Sequence, residues 1–395
     1  MIQLAAKEHC TACGACAFAC PKQCIAMKED NLGVMYPVMD STNCISCKKC
    51  QKVCPILNAP EFRIPRKAYA AWSCDKEERR TSASGGIAAE IYKYSLRNGS
   101  LIAGAVQNLD FSVDIQLSDR KEFIQKFKNS KYVFSSANSL FPQVREALKN
   151  GNKVTVIALP CQIAALRNLF RDNENLLLVD VVCHGTTPHD YLVQHIHTLE
   201  KEFGQKATSM SFRDPETYTY TFTFTLYNAD GQRFCERTIQ EGDAYQVGYH
   251  SKITYRENCY HCHFARGQRM GDLTIADYHG LGLCAPCEFS SRNVSLILDN
   301  TSKGDILIES LRKSQNIEVY ERPLEEPIKG EVQLRHPSIK THARRDFEKL
   351  YKGDFSYTMN KVLKGYYRRE RLKEIKMNTK RVIKKIVYTI LNRKK

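Results

Sequence analysis

The chain has a single tryptophan and no run of eighteen apolar residues, and most of its length carries little net charge. Its most apolar region, Val154 to Phe170, is interrupted by Pro160, Gln162 and Arg167, so no membrane span is expected. The opening residues, Met1 to Ala6, lack the basic flank and apolar core of a secretory signal. Both absences point to the cytoplasm, where cysteines stay reduced and serve as ligands or catalysts more often than as disulfides. A phosphate loop of the form Gly-x-x-x-x-Gly-Lys-Ser/Thr is also missing, which argues against a nucleotidase of that class.

What is present is an ordinary globular composition over 395 residues, 43% hydrophobic and 26% charged, enough for two or three domains. The net charge of +16 is concentrated: +12 of it lies between Lys361 and Lys395, leaving a nearly neutral body with no basic face for a nucleic-acid partner. In that tail Leu372, Ile375, Ile383, Ile386, Val387 and Ile390 recur mostly at three- and four-residue steps among lysines and arginines. The pattern predicts an amphipathic basic helix. It either packs on the body or lies on an anionic membrane surface, which would make the protein peripheral to the inner face of the membrane.

Nine of seventeen cysteines lie in the first fifty-four residues. Cys10, Cys13, Cys16 and Cys20 precede Pro21, and Cys44, Cys47, Cys50 and Cys54 precede Pro55. Each set reads C-x2-C-x2-C-x3-C-P, the spacing of a bacterial two-cluster ferredoxin, in which the fourth cysteine serves the other cluster. One 4Fe-4S cluster is therefore assigned to Cys10, Cys13, Cys16 and Cys54, and its partner to Cys44, Cys47, Cys50 and Cys20. Zinc has no use for the third cysteine or the trailing Cys-Pro. Cys24 falls outside the pattern and reads as a small buried hydrophobe.

Beyond a proline-marked linker from Pro55 to Arg66, strand-like and helix-like runs alternate. Strands are expected at Lys67–Ser73, Leu101–Val106, Val154–Leu159 and Leu176–Val182, with helices near Ile87–Arg97, Ile163–Phe170 and Tyr191–Phe203. Thr217–Tyr227 and Gln232–Thr238 read as a hairpin across Asn228-Ala229-Asp230-Gly231. The fold class is α/β: an α+β body with a mixed sheet and an inserted antiparallel hairpin, a small ferredoxin-type domain and a C-terminal basic helix. Domain boundaries are expected at 1–60, 67–335 and 336–395.

Four body cysteines occupy chosen positions. Cys161 and Cys183 follow strands, and Cys259 and Cys262 form a C-x2-C loop. Strand ends and a loop converging at the carboxyl edge of a sheet could build a third cluster, a zinc site or unrelated thiol pairs. Cys284 and Cys287 form a further C-x2-C, either buried thiols or an accessory metal or redox pair. Ser84-Gly85-Gly86 before a helix can cradle phosphate or simply cap it. Lys131 could pair with a phosphate. His184, beside Cys183, could act as acid or base or support the neighbouring ligand. Gly280-x-Gly282-x-x-Ala285 superficially imitates a dinucleotide fingerprint, but the segment after it has no helical period.

Pro160-Cys161-Gln162, Cys183-His184-Gly185, Phe212-Arg213-Asp214 and the block from Cys259 and Cys262 through Asp272 and Asp277 to Gly280 resemble the beta subunit of the coenzyme F-420-reducing hydrogenases and formate dehydrogenases. Ser84-Gly85-Gly86 and Ser130-Lys131-Tyr132 resemble its amino-terminal half. Two departures stand out: Ala158-Leu159 replaces a usual Gly-Thr, and Asn129 a usual Gly. The resemblance implies Cys161, Cys183, Cys259 and Cys262 as ligands of a third 4Fe-4S cluster, and FAD near Ser84, Gly85, Gly86 and Lys131. It further implies an oxidoreductase passing electrons between a hydride-type donor or acceptor at the flavin, the deazaflavin coenzyme or another small redox substrate, and ferredoxin-type clusters. The partner would be a ferredoxin-like carrier or a partner oxidoreductase subunit. Two alternatives stand beside it: a ferredoxin-dependent reductase of another small organic substrate, and a non-catalytic electron conduit.

Overall fold

In the computed structural model the described residues are 2–30, 34–217, 219–290 and 292–368. A nine-stranded sheet organises the body, in the order 317–322, 67–73, 295–299, 273–277, 176–181, 153–158, 100–107, 113–118, 135–136. The four strands Leu273–Asp277, Leu176–Val181, Lys153–Ala158 and Ser100–Gln107 run parallel to one another. Antiparallel strands extend this core on both flanks, so the sheet is mixed. The parallel strands read as near-continuous apolar runs because both faces are covered. Phe141, Val144, Ile163 and Leu166 pack one face, and Ile87, Ile91, Leu307 and Ile308 the other.

The strands 273–277 and 295–299 pair antiparallel, with Ile275 opposite Ile297. A dinucleotide fold needs a parallel pair there, so the glycine pattern at 280–285 is a turn and not a fingerprint. The expected hairpin is shorter than its alternation suggested. Phe224–Tyr227 pairs with Arg233–Arg237 and with Ser209–Ser211, while Thr219–Thr221 forms a 3-10 turn. Arg213 is the cause: its Nε donates to the Thr219 carbonyl at 2.6 Å and draws that stretch out of the ladder.

The core does not end at 335. Helix His342–Leu350 and the helical stretch 355–368 bring Phe347, Phe355, Met359 and Val362 against Tyr191, Phe224 and Tyr245. The basic tail beyond residue 368, with the expected membrane-facing helix, lies outside the described residues. Among the described residues no helix is long and apolar enough to cross a membrane.

The amino-terminal module holds two short helices, Ala15–Ala19 and Lys49–Val53, and a hairpin of Ile25–Glu29 with Met35–Met39. It is not a detached bead. Ala15, Phe18, Val53 and Ile56 join the core cluster built around helix Pro160–Phe170. The linker runs along the body, where Arg63 and Arg269 exchange backbone hydrogen bonds at 2.7 and 2.8 Å.

Candidate functional site

Three small cavities hold thirteen of the cysteines. Cys10, Cys13, Cys16 and Cys54 line one, and Cys20, Cys44, Cys47 and Cys50 a second, in the crossed grouping the spacing predicts. Each short helix carries a cysteine of one set and ends on a cysteine of the other: Cys16 and Cys20 in the first helix, Cys50 and Cys54 in the second. Cys24 is buried, as expected of a small hydrophobe, but its Sγ lies 3.3 Å from that of Cys20 and it lines the second cavity.

The third cavity, about 40 Å³, is lined by Cys161, Cys183, Cys259 and Cys262. Its geometry follows from the sheet. Strands 153–158 and 176–181 are parallel neighbours, so the residues after them, Cys161 and Cys183, emerge at one carboxyl edge. The loop carrying Cys259 and Cys262 is held to that edge by a buried arginine. Arg269 donates from Nε to Asp180 Oδ1 at 3.0 Å and from Nη1 to the Phe264 carbonyl at 3.0 Å. Gly185 has φ of +149°, and a Cβ there would stand 2.4 Å from the Tyr255 ring, so the turn after Cys183 requires glycine.

Burial pushes the thiols of Cys161 and Cys183 well up and that of Cys262 up to about 11. These three thiols hold negative charge poorly until iron supplies the opposing charge. Polar groups wait on the same wall. Arg256 Nε and Nη2 and Asn258 Oδ1 are buried without hydrogen-bond partners among the described residues, and both side chains line this cavity. The Thr186 amide lies 3.4 Å from Cys259 Sγ. Four sulfurs with the two orphaned Arg256 donors beside them fit a 4Fe-4S cluster, whose sulfides accept such hydrogen bonds.

A fourth, much larger cavity of about 450 Å³ opens beside the third. Ser84, Gly86, Lys131 and His184 line it; Gly85 does not. A Cβ on Gly85 would meet the Ala71 carbonyl at 2.4 Å, so that glycine serves the packing of the turn on the sheet. Ser84 Oγ donates to the Val294 carbonyl at 2.9 Å. Gly86, at φ +86°, turns the chain into helix Ile87–Arg97, whose amino terminus has no side-chain cap and faces the cavity. That leaves amides and the positive end of a helix dipole for an anion.

Lys131 is partly covered in the wall, its Nζ donating to the carbonyls of Lys128 at 2.9 Å and Asn129 at 3.3 Å. Burial pushes its ammonium down to about 7. Asn129, where the resembled family has glycine, sits at φ +65°, a left-handed conformation that asparagine tolerates better than other side chains do. Asn129 Oδ1 and His250 Nε2 are buried at this wall without partners among the described residues. Burial, with His184 and Arg213 nearby, pushes His250 down to about 4, so it is neutral near pH 7. Arg213 donates to Asp277 Oδ2 at 3.0 Å from both Nη atoms. An anion site at a helix terminus, apolar walls and unpaired polar atoms fit a phosphate-bearing ring cofactor such as a flavin.

Cys284 and Cys287 line none of these cavities. They sit half-buried on a separate loop, where Lys329 Nζ approaches Cys284 Sγ at 3.5 Å. Sequence reasoning missed Arg256, His250, His279 and Glu331. His279, two residues past a parallel strand, was within reach of the strand-end rule that found Cys183; Glu331 carried no local signal.

Residues 151–324 match the family described as the C terminus of the coenzyme F-420 hydrogenase/dehydrogenase beta subunit, and residues 9–57 match a 4Fe-4S dicluster domain. The F subunit of the F(420)H(2) dehydrogenase of Methanosarcina mazei is 25% identical over 204 residues, 48% of this chain and 57% of the relative. The coenzyme F-420-dependent sulfite reductase of Methanocaldococcus jannaschii is 28% identical over 164 residues, 40% of this chain and 25% of the relative. The chain thus spans little more than half of one and a quarter of the other. A ferredoxin-like protein in the nif region of Rhizobium leguminosarum is 38% identical over 57 residues, 13% of this chain and 81% of the relative. A polypeptide of the F-420-reducing NiFe hydrogenase complex from Methanosarcina barkeri aligns over 79% of this chain and 95% of its own, at TM-score 0.43 and 18% identity. The two matches together place a region similar to the C terminus of the coenzyme F-420 hydrogenase/dehydrogenase beta subunit at residues 151–324, behind a 4Fe-4S dicluster domain at residues 9–57.

Proposed function

We propose that the protein is an iron-sulfur flavoprotein oxidoreductase that moves electrons between a hydride-type donor or acceptor in the large cavity and the clusters of the dicluster domain. One observation carries this reading: the cavities adjoin in series. The large cavity shares Leu159, Cys183, His184, Gly185 and Thr186 with the third cavity, and the third shares Thr11 and Cys13 with the first dicluster cavity. Helices Ala15–Ala19 and Lys49–Val53 then link the two dicluster cavities, since each carries a cysteine of one and ends on a cysteine of the other.

Cys161, Cys183, Cys259 and Cys262 would hold the third cluster, and the helix terminus at Gly86 with Lys131 would hold the phosphates of FAD. When bound, a flavin takes up two electrons together and releases them one at a time, which suits one-electron clusters. The protein's own part is positioning and exclusion. Apolar side chains such as Ile87, Ile157 and Ile275 keep water from the cavity wall, and Arg213, fixed by Asp277, places a positive charge in it. Cys47 is exposed at the far end of the series, where a ferredoxin-like carrier or a partner subunit would exchange electrons.

The test is anaerobic purification with iron, sulfide and flavin analysis. About twelve iron and one flavin per chain are expected. A protein with its iron but unable to bind FAD on titration would reduce this reading to a bare electron conduit.

A further inference from the structure

At one end of the large cavity, two histidines and a buried carboxylate converge. His184 follows strand 176–181 and His279 follows strand 273–277; these strands are parallel neighbours, so both residues leave the sheet at the same edge. Glu331 arrives from the other side. Gly280 and Gly330 meet face to face, and a Cβ on Gly330 would stand 2.2 Å from the His279 carbonyl. Only this pair of glycines lets the Glu331 turn lie against His279.

The distances discriminate between two explanations. His184 Nε2 lies 3.5 Å and His279 Nε2 3.6 Å from Glu331 Oε2, and the three donor atoms all fall within 4.8 Å of one another. Good N–H···O hydrogen bonds measure about 2.7–3.2 Å, so both contacts are too long for that role. A tetrahedral ion with bonds of about 2.1 Å has ligand–ligand edges of about 3.4 Å. A point equidistant from the three atoms lies about 2.4 Å or less from each, so side-chain shifts of about 0.3 Å complete the coordination.

Charge gives an independent reason. Glu331 is only 4% exposed, and its other oxygen accepts from the Gln333 amide at 3.1 Å. Among the described residues no lysine or arginine pairs with it. A buried carboxylate without a cationic partner is costly, and a coordinated metal ion removes that cost. The histidines, at 41% and 53% exposure, face the open cavity.

We propose that His184, His279 and Glu331 bind one zinc-type divalent ion, with no cysteine among its ligands. Its fourth position opens into the large cavity, for water or for an oxygen atom of a small molecule entering there. Two histidines and one glutamate with an open position are a donor set of catalytic rather than structural zinc sites. The proposal goes beyond the electron-transfer reading and does not depend on flavin being bound.

The experiment uses the full chain with its clusters, dialysed anaerobically against a mild chelator and then titrated with zinc chloride. One zinc per chain is expected, with iron and sulfide unchanged. Zinc-edge X-ray absorption should show nitrogen and oxygen neighbours and no sulfur. His279→Ala, at a half-exposed position that lines none of the three cysteine cavities, should lose that zinc while keeping iron, sulfide and melting temperature. A sulfur shell would mean that zinc has entered a cysteine site, and zinc retained by His279→Ala would mean that it sits elsewhere; either result, or no bound zinc at all, overturns the proposal.

Discussion

Arg256 reaches across the junction of the two modules, its Nη1 donating to the Thr11 carbonyl at 3.1 Å while its Nε and Nη2 stay buried and unpaired beside the third cavity. Thr11 neighbours Cys10 and also lines the first dicluster cavity, so one guanidinium stands between two proposed cluster sites. Its plane lies over Phe134 at 4.4 Å, which fixes its direction. A cation with free donors beside a cluster favours the reduced, more negative state.

Arg256→Gln should therefore leave iron content unchanged and lower one cluster's midpoint potential. A charged hydrogen bond of about 1.5 kcal/mol corresponds to about 60 mV for one electron. Redox titration followed by electron paramagnetic resonance reads the shift. An unchanged set of potentials would make Arg256 a purely structural bridge.

The third cluster has a direct count. Cys259→Ser with Cys262→Ser removes one of three proposed sites, so about a third of the iron should go and the dicluster signals should persist. Full iron retention in that variant would leave the four half-buried thiols of the third cavity without a role.

Much of this arrangement was legible because spacing and periodicity are local properties. Strand Lys67–Ser73 and helix Ile87–Arg97 form at the expected residues, since an apolar run after the proline-marked linker marks the first and an apolar period after Gly86 the second. The crossed grouping of the eight cysteines in the two C-x2-C-x2-C-x3-C-P sets was legible for the same reason. The role of Gly85 was not. Ser84-Gly85-Gly86 reads equally as a phosphate cradle or a tight turn, and only the approach of Ala71 shows that the middle glycine packs against a strand. The hairpin was overextended because alternation at Thr217–Tyr227 cannot reveal that the Arg213 side chain takes the Thr219 carbonyl. Arg256 and Glu331 act through residues far away in sequence, so no local pattern announces them.

Asp180 supplies a test of how the third cavity is built. Its side chain is fully buried, and it accepts from Arg269 Nε, Thr274 Oγ1 and the Gly271 amide, each at 3.0 Å. Asp180→Asn leaves the Arg269 charge buried and unmatched, at a cost of about 3–5 kcal/mol. The Cys259–Cys262 loop depends on Arg269, so iron from the third site should be lost on mild heating before the dicluster iron. Simultaneous loss of all iron would show that the pair supports the whole fold and not this loop in particular.

Lys131 makes the flavin reading testable through pH. With no anion bound, burial holds its ammonium down at about 7, against about 10.4 for a free lysine. A phosphate in the cavity would favour the charged form and raise that value, so binding takes up a proton above pH 7. Affinity for FAD should then be flat below about pH 7 and fall by up to about tenfold per unit above it. Lys131→Met has no proton to take up; it should bind more weakly at pH 6 and show little slope from pH 6 to 9. The protein without flavin gives a second reading with its own sign. Between about pH 7 and 10.4 the unfolded chain holds a proton on Lys131 that the native chain does not, so this residue makes native stability rise with pH there. Lys131→Met should remove that rise. Fluorescence titration with FAD and urea unfolding across pH measure the two effects. A wild-type affinity for FAD that stays level up to pH 9 would place the phosphates away from Lys131.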